Sequence, residues 1–195
     1  MDWYIDFVKA YPILSAIIQF AILGTAGEII SKIIIAGKIH SPFNLNMILK
    51  KMAIWAFLAV CIKFAFMGFQ GFTDSLILHN YLPELGLLPR AFAVSVLMNL
   101  QFGLFLVIMH RILDNLAAGV KKNWTNIDKS ILSLIWFWIP AHTITFTLPR
   151  DFQIGLAALW SLALGIILGF YNKPKEQKEI QPADYSVTQD KELVS

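Results

Sequence analysis

A polytopic bundle of membrane-spanning α-helices is the fold class the sequence predicts, and three observations predict it. The composition is 57% hydrophobic and only 15% charged, against about a quarter charged in ordinary globular proteins. The apolar residues are gathered into runs that can cross a hydrocarbon layer of about 30 Å, which takes about 20 residues at 1.5 Å each. Lysine and arginine alternate between the segments that separate those runs. A chain of 195 residues cannot hide so much apolar surface in its own core, so a soluble domain is excluded.

The segment 1–12 predicts a short amphipathic helix in the headgroup region. Asp2, Asp6 and Lys9 share one face, and Trp3, Tyr4, Phe7, Val8 and Tyr11 cover the rest. Its two acids and single base do not fit a signal peptide. Pro12 marks the turn into the first span, 13–35, which is interrupted by Gln19, Glu28 and Lys32 and closes at the turn signals Gly37 and Ser41-Pro42. The second span is 52–69. From Asp74 to Arg90, Pro83, Gly86 and Pro89 predict a loop or interfacial segment. The third span is 91–109, and a polar loop follows, with a cap-like start at Thr125-Asn126-Ile127-Asp128. Spans four and five, 130–148 and 152–170, are separated only by Pro149-Arg150-Asp151. They form an antiparallel hairpin, although a re-entrant hairpin would satisfy the same hydropathy. The polar segment 172–195 has the composition of a disordered tail.

Five spans put the termini on opposite sides. One side receives Lys9, Arg90 and Arg150. The other receives Lys32, Lys38, Lys50, Lys51, Arg111, Lys121, Lys122, Lys129 and the lysines of the tail. The positive-inside rule then predicts a cytoplasmic C-terminus and an external N-terminus. The expected location is a bacterial cytoplasmic membrane, with an organelle membrane as the alternative.

Within lipid, helices associate through small residues rather than through greasy surface. Ala157, Ser161, Gly165 and Gly169 recur every fourth residue in the fifth span and predict a helix contact, either internal or between protomers. Ionisable groups inside spans cost on the order of 2.5 to 3.5 kcal/mol each and so are paired or face water. Glu28, Lys63 and His142 are such groups, and Asn99 and Gln101 add neutral hydrogen-bonding side chains. Glu28 has two candidate partners: Lys32 at i,i+4, or Lys63 from the second span. Counting depth at 1.5 Å per residue puts Lys63 about 17 Å and His142 about 18 Å from one end of their spans. The expectation is therefore an interior polar constellation centred on Lys63, with Glu28 as counter-ion and His142, Asn99 and Gln101 around it.

Enzyme signatures are missing. Gly24-Thr25-Ala26-Gly27-Glu28 lacks the middle glycine and the aspartate of the intramembrane aspartyl protease motif, and no second intramembrane aspartate could share a proton with it. There is no His-Glu-x-x-His helix, no phosphate-cradling loop and no nucleophile elbow. His40, His79, His110 and His142 fall at different depths, so no shared metal site and no cofactor are expected. Asn123-Trp124-Thr125 fits the glycosylation pattern but lies on the predicted inner side. The lone Cys61 can form no disulfide within the chain and reads as packing.

Several landmarks recur in a known order. Tyr11-Pro12 stands before the first span and Gly27-Glu28-Ile29-Ile30-Ser31-Lys32 inside it; Trp138, Pro140, Phe146, Pro149, Arg150 and Trp160 follow later. In these the chain resembles the small membrane protein family that includes the peroxisomal protein of the Mpv-seventeen type. It departs from that family in Glu28 for Asp, Lys32 for Gln and Thr145 for Asn. The family's Asp-Gln pair is matched only by Asn99 and Gln101, as in a distant, bacterial relative. The resemblance implies a helical membrane protein without enzymatic activity, acting as a poorly selective small-solute channel or in organelle homeostasis.

Two functions are thus in view. One is a small channel or transporter whose intramembrane polar residues line a solute pathway. The other is a non-transporting structural or assembly factor that acts through helix contacts. The expected partners are the lipid bilayer, a small solute and either a second copy or another membrane protein, with no nucleic acid.

Overall fold

The computed structural model describes residues 2–37 and 43–171, and these form six helices with no strand among them. Lys38, His40, the Ser41-Pro42 turn and the segment 172–195 lie outside the described residues. In chain order the helices are α1 Asp2–Ala10, α2 Pro12–Ala36, α3 Leu45–Leu78, α4 Leu87–Ala118, α5 Ile127–Thr147 and α6 Arg150–Tyr171. Helices α2 to α6 are each long and apolar enough to cross a bilayer, so the chain is a multi-pass integral membrane protein.

Local chemistry fixes the helix ends. Pro12 opens α2 at its first positions, where a missing N–H costs nothing. Gly37, at φ 64°, closes it by turning its N–H back to Ile33 and Ile34. The Asn44 side chain caps α3 by accepting from the Met47 N–H at 2.9 Å. Helix α5 starts where the Thr125–Asp128 signal puts it, but Asn126 enters at φ 60° and makes no side-chain cap bond.

Two boundaries differ from the expectation. The 74–90 segment is about half helical: α3 continues to Leu78 and α4 begins at Leu87 with Gly86 as its N-cap, so the connection is confined to 79–86. Pro89 falls in the first turn of α4, where proline is tolerated. The bidentate pair of Arg90 with Asp74, at 2.7 and 2.8 Å, ties the two helices together across the short connection. Helix α4 likewise runs on through Ala118. Hydropathy marks where a helix meets lipid, whereas its backbone ladder continues until a glycine or proline stops it. In the α5–α6 hairpin, each helix has a 21-residue candidate span, long enough to cross rather than re-enter.

The most extensive packing is of α2 on α6 and on α3, and of α4 on α5. The small-residue stripe is the α2–α6 contact. A Cβ added at Gly165 would lie 2.5 Å from the Gly27 carbonyl oxygen, and one at Gly169 would lie 2.9 Å from Ser31 Cα. Ala157 and Ser161 are buried in the same face. Between internal and intermolecular use, the stripe is internal.

Helices α4 and α5 each carry one π-helical turn, Asn99–Gly103 and Leu134–Trp138. The second precedes Pro140, which can offer no N–H to the ladder, so the helix widens there. The two turns face each other, with Leu134 Cδ2 2.9 Å from where a Cβ on Gly103 would stand.

Helix α1 folds against the end of α2 and α6 and buries Val8. Its Tyr4 hydroxyl donates to Gln19 Oε1 at 3.1 Å, the ring stacks on Phe152, and Lys9 pairs with Asp151 at 3.6 Å. Burial pushes the Tyr4 phenol above its ordinary pKa. This end of the bundle also holds the Asp74–Arg90 pair. At the other end, Lys50 near the start of α3 donates to the Ala117 carbonyl at the end of α4 at 3.0 Å, holding these two helix ends together.

Candidate functional site

All five long helices contribute to one cavity of about 500 Å³. It begins at the α4–α5 connection, among Asn123, Thr125 and Asn126, with Lys32, Arg111 and Asp114 beside them. It ends in the middle of the bundle against Phe66, Met98, Asn99, Trp138 and His142. Both π turns stand in its wall, through Phe102 and Gly103 and through Leu134. Such turns are frequent at functional sites because they re-aim the side chains that follow.

A charged cluster forms the wall nearest the basic end. Lys51, only 7% exposed, places its ammonium between two carboxylates, hydrogen-bonding Glu28 Oε2 and, at 3.0 Å, Asp114 Oδ1. The other Glu28 oxygen accepts from the Trp55 indole N–H at 2.7 Å and meets His110 Nε2 at 3.2 Å. Trp55 packs between Phe20 and His110, with ring centroids 6.2 and 4.8 Å away. Each buried charge thus has an opposite charge and a neutral donor or ring beside it, which is what a low-dielectric site requires.

Glu28, His110 and Asp114 also bring three ligand-type atoms within 4.8 Å of one another. A reading of scattered histidines does not anticipate that grouping. The Lys51 ammonium bridges its two carboxylates and supplies the positive charge there.

At the deep end is a second, uncharged network. Asn99, 2% exposed, donates through Nδ2 to the Ser95 carbonyl at 2.8 Å and lies 3.1 Å from His142 Nδ1. Ser95 Oγ donates to the Ile139 carbonyl at 2.8 Å, tying α4 to α5 just beyond the π turn. Beyond His142, Phe66 packs on Phe146 at 4.8 Å, and buried Gln70 donates to Gln153 at 3.1 Å. Together these close the bundle on that side.

Of the residues the sequence singles out, Asn99 and His142 do meet, and Glu28 lines the same cavity. The constellation centred on Lys63 does not form. Lys63 stands twelve residues beyond Lys51, about 120° around the helix and 18 Å along it. It is half-buried, makes no ion pair among the described residues, and feels the charges of Asp151 and Arg150 at the opposite end. Glu28 therefore pairs neither with Lys63 nor with Lys32, which is exposed; its partner is Lys51. Gln101 is exposed too, bordering a shallow depression with Ala65, Gly68 and Phe72. It lies two residues past Asn99, which turns it to the other side of its helix.

The sequence reading missed Lys51, Trp55, His110 and Asp114. Their signal is the i,i+4 spacing of Lys51 with Trp55 and of His110 with Asp114, which puts each pair on one helix face. Comparison with family models, with curated proteins and with solved structures finds no match for this chain, so the chemistry of the cavity rests on its own residues.

Proposed function

We propose that the protein is a small-solute channel or transporter whose pathway is this cavity. The observation that carries the reading is the cavity's course: it leads from a charged end to a neutral His142–Asn99 floor and is lined by every long helix. Interior polar groups facing free space are by default a solute route. The Phe66–Phe146 packing and the Gln70–Gln153 pair beyond the floor make the described conformation open toward one side. By the positive-inside rule that side is cytoplasmic and the α1 end external. The reading agrees with what the resemblance to the Mpv-seventeen type of membrane protein implies. An assembly role would need a surface other than the α6 stripe, which α2 engages.

The test is purified protein in liposomes, assayed for conductance and for release of small trapped solutes. Flux above that of empty liposomes is expected. Liposomes that stay as tight as protein-free ones across solute sizes and voltages would overturn the reading.

A further inference from the structure

One acceptor in the cavity has no protein partner. His142 is 8% exposed and lines the deep end. Its Nδ1 faces the Asn99 amide, while its Nε2 meets none of the described residues. Accounting for every hydrogen bond of that amide assigns the ring proton. Asn99 Nδ2 has two acceptors on its own helix, the Ser95 carbonyl at 2.8 Å and Ser95 Oγ at 3.3 Å, and these take both of its N–H groups. Asn99 Oδ1 has a single partner among the described residues, His142 Nδ1 at 3.3 Å. Asn99 is 2% exposed, so an unpaired oxygen there is costly, and Nδ1 carries the proton that pairs it. Nε2 then presents its lone pair to the cavity.

The surroundings restrict what that lone pair can hold. Trp138 stacks on the imidazole at 5.0 Å and 27°, and Phe66 meets it edge-on at 5.4 Å. Met98, Phe102 and Leu134 add apolar wall. An ordered water needs several polar partners at once, so such a wall favours an occupant that is mostly apolar and brings one donor. That donor is uncharged. The carboxylates of Glu28 and Asp114 are engaged with Lys51 and His110 at the charged end, which leaves an ammonium at the floor without a counter-ion. Arg111 stands twelve residues from Asn99, about 18 Å along α4, so an anion finds none either. A carbonyl compound can only accept and would turn its oxygen on the Nε2 lone pair. Flat aromatic walls favour a flat ring.

We propose that the deep end of the cavity binds an uncharged phenol, whose hydroxyl donates to His142 Nε2 and whose ring lies against the aromatic floor. The inference shares its cavity with the transport reading but concerns equilibrium binding alone.

The test uses the full chain in nanodiscs, titrated calorimetrically with 2-naphthol and corrected for empty nanodiscs. Saturable binding is expected. His142→Phe should weaken it by about tenfold or more, and His142→Gln, which restores an acceptor, should return it to within about threefold. Two ligand changes on the unaltered protein make the test independent of how the variants fold. In 2-methylnaphthalene a methyl of similar size replaces the hydroxyl, and 2-methoxynaphthalene keeps the oxygen but loses the proton. Each should bind at least about tenfold more weakly than 2-naphthol. Equal affinity of a folded His142→Phe, equal affinity for either analogue, or no saturable binding beyond that of empty nanodiscs would overturn the proposal. Flux without saturable 2-naphthol binding defeats this inference alone, whereas binding without flux defeats only the transport reading.

Discussion

The Gly165 backbone lies against the backbone of Gly27 so closely that neither helix leaves room for a side chain. A Cβ on Gly165 would come within 2.8 Å of three backbone atoms of Gly27. Gly165→Leu should therefore force α2 and α6 apart and destabilise the bundle on the order of 3 kcal/mol. Leu164→Ala, beside it but facing the cavity, should cost about 1 kcal/mol or less. Thermal unfolding in detergent compares the two, and equal tolerance would remove this contact from the account of stability.

Lys51→Met should be the more damaging of two changes in the charged cluster. It strands the carboxylates of both Glu28 and Asp114, a loss of about 3 to 5 kcal/mol. Glu28→Gln keeps an acceptor for the Trp55 indole and leaves Lys51 paired with Asp114, so about half that loss is expected. Denaturation of the two variants gives the order, and the reverse order would place the cluster's weight on Glu28 instead.

Lys63→Met should change little. The side chain is half-buried, stands outside the cavity lining and makes no ion pair among the described residues. Stability within about 0.5 kcal/mol of the parent and unchanged liposome flux are expected. A clear change in ion selectivity would return Lys63 to the pathway.

Single cysteines at Leu82 and Lys121, in a Cys61→Ala background, should label from opposite faces of sealed vesicles. These positions lie in the connections at the two ends of the bundle, and the orientation proposed from the lysine distribution has Lys121 label from the cytoplasmic face and Leu82 from the external one. Labelling of both from one side would contradict the five-span arrangement.

What hydropathy made legible was the number of spans and their centres. It did not show that α3 continues through Asp74 to Leu78, because a helix that has left the lipid keeps its backbone ladder while its side chains turn polar. The site was half legible for a related reason. Depth along the axis placed His142 and Asn99 in one plane, but depth carries no azimuth, and it is azimuth that separates Lys63 from Lys51 and Gln101 from Asn99. Lys51 read as one more basic residue beside a loop, like its exposed neighbour Lys50. Only the crossing of α2, α3 and α4 turns it inward, between Glu28 and Asp114. The π turns left no periodic trace to find; Pro140 was the single local hint of the second.

The pairing of α2 with α6 carries a consequence for biosynthesis. Of the five long helices described, the first to be made packs most extensively on the fifth, so the Gly27–Ser31 groove waits in the membrane while the three helices between them are made and inserted. Throughout that interval α2 is an unfinished surface. A nascent chain cut before α6 would retain four apolar helices and still be recognisable to membrane quality control as incomplete.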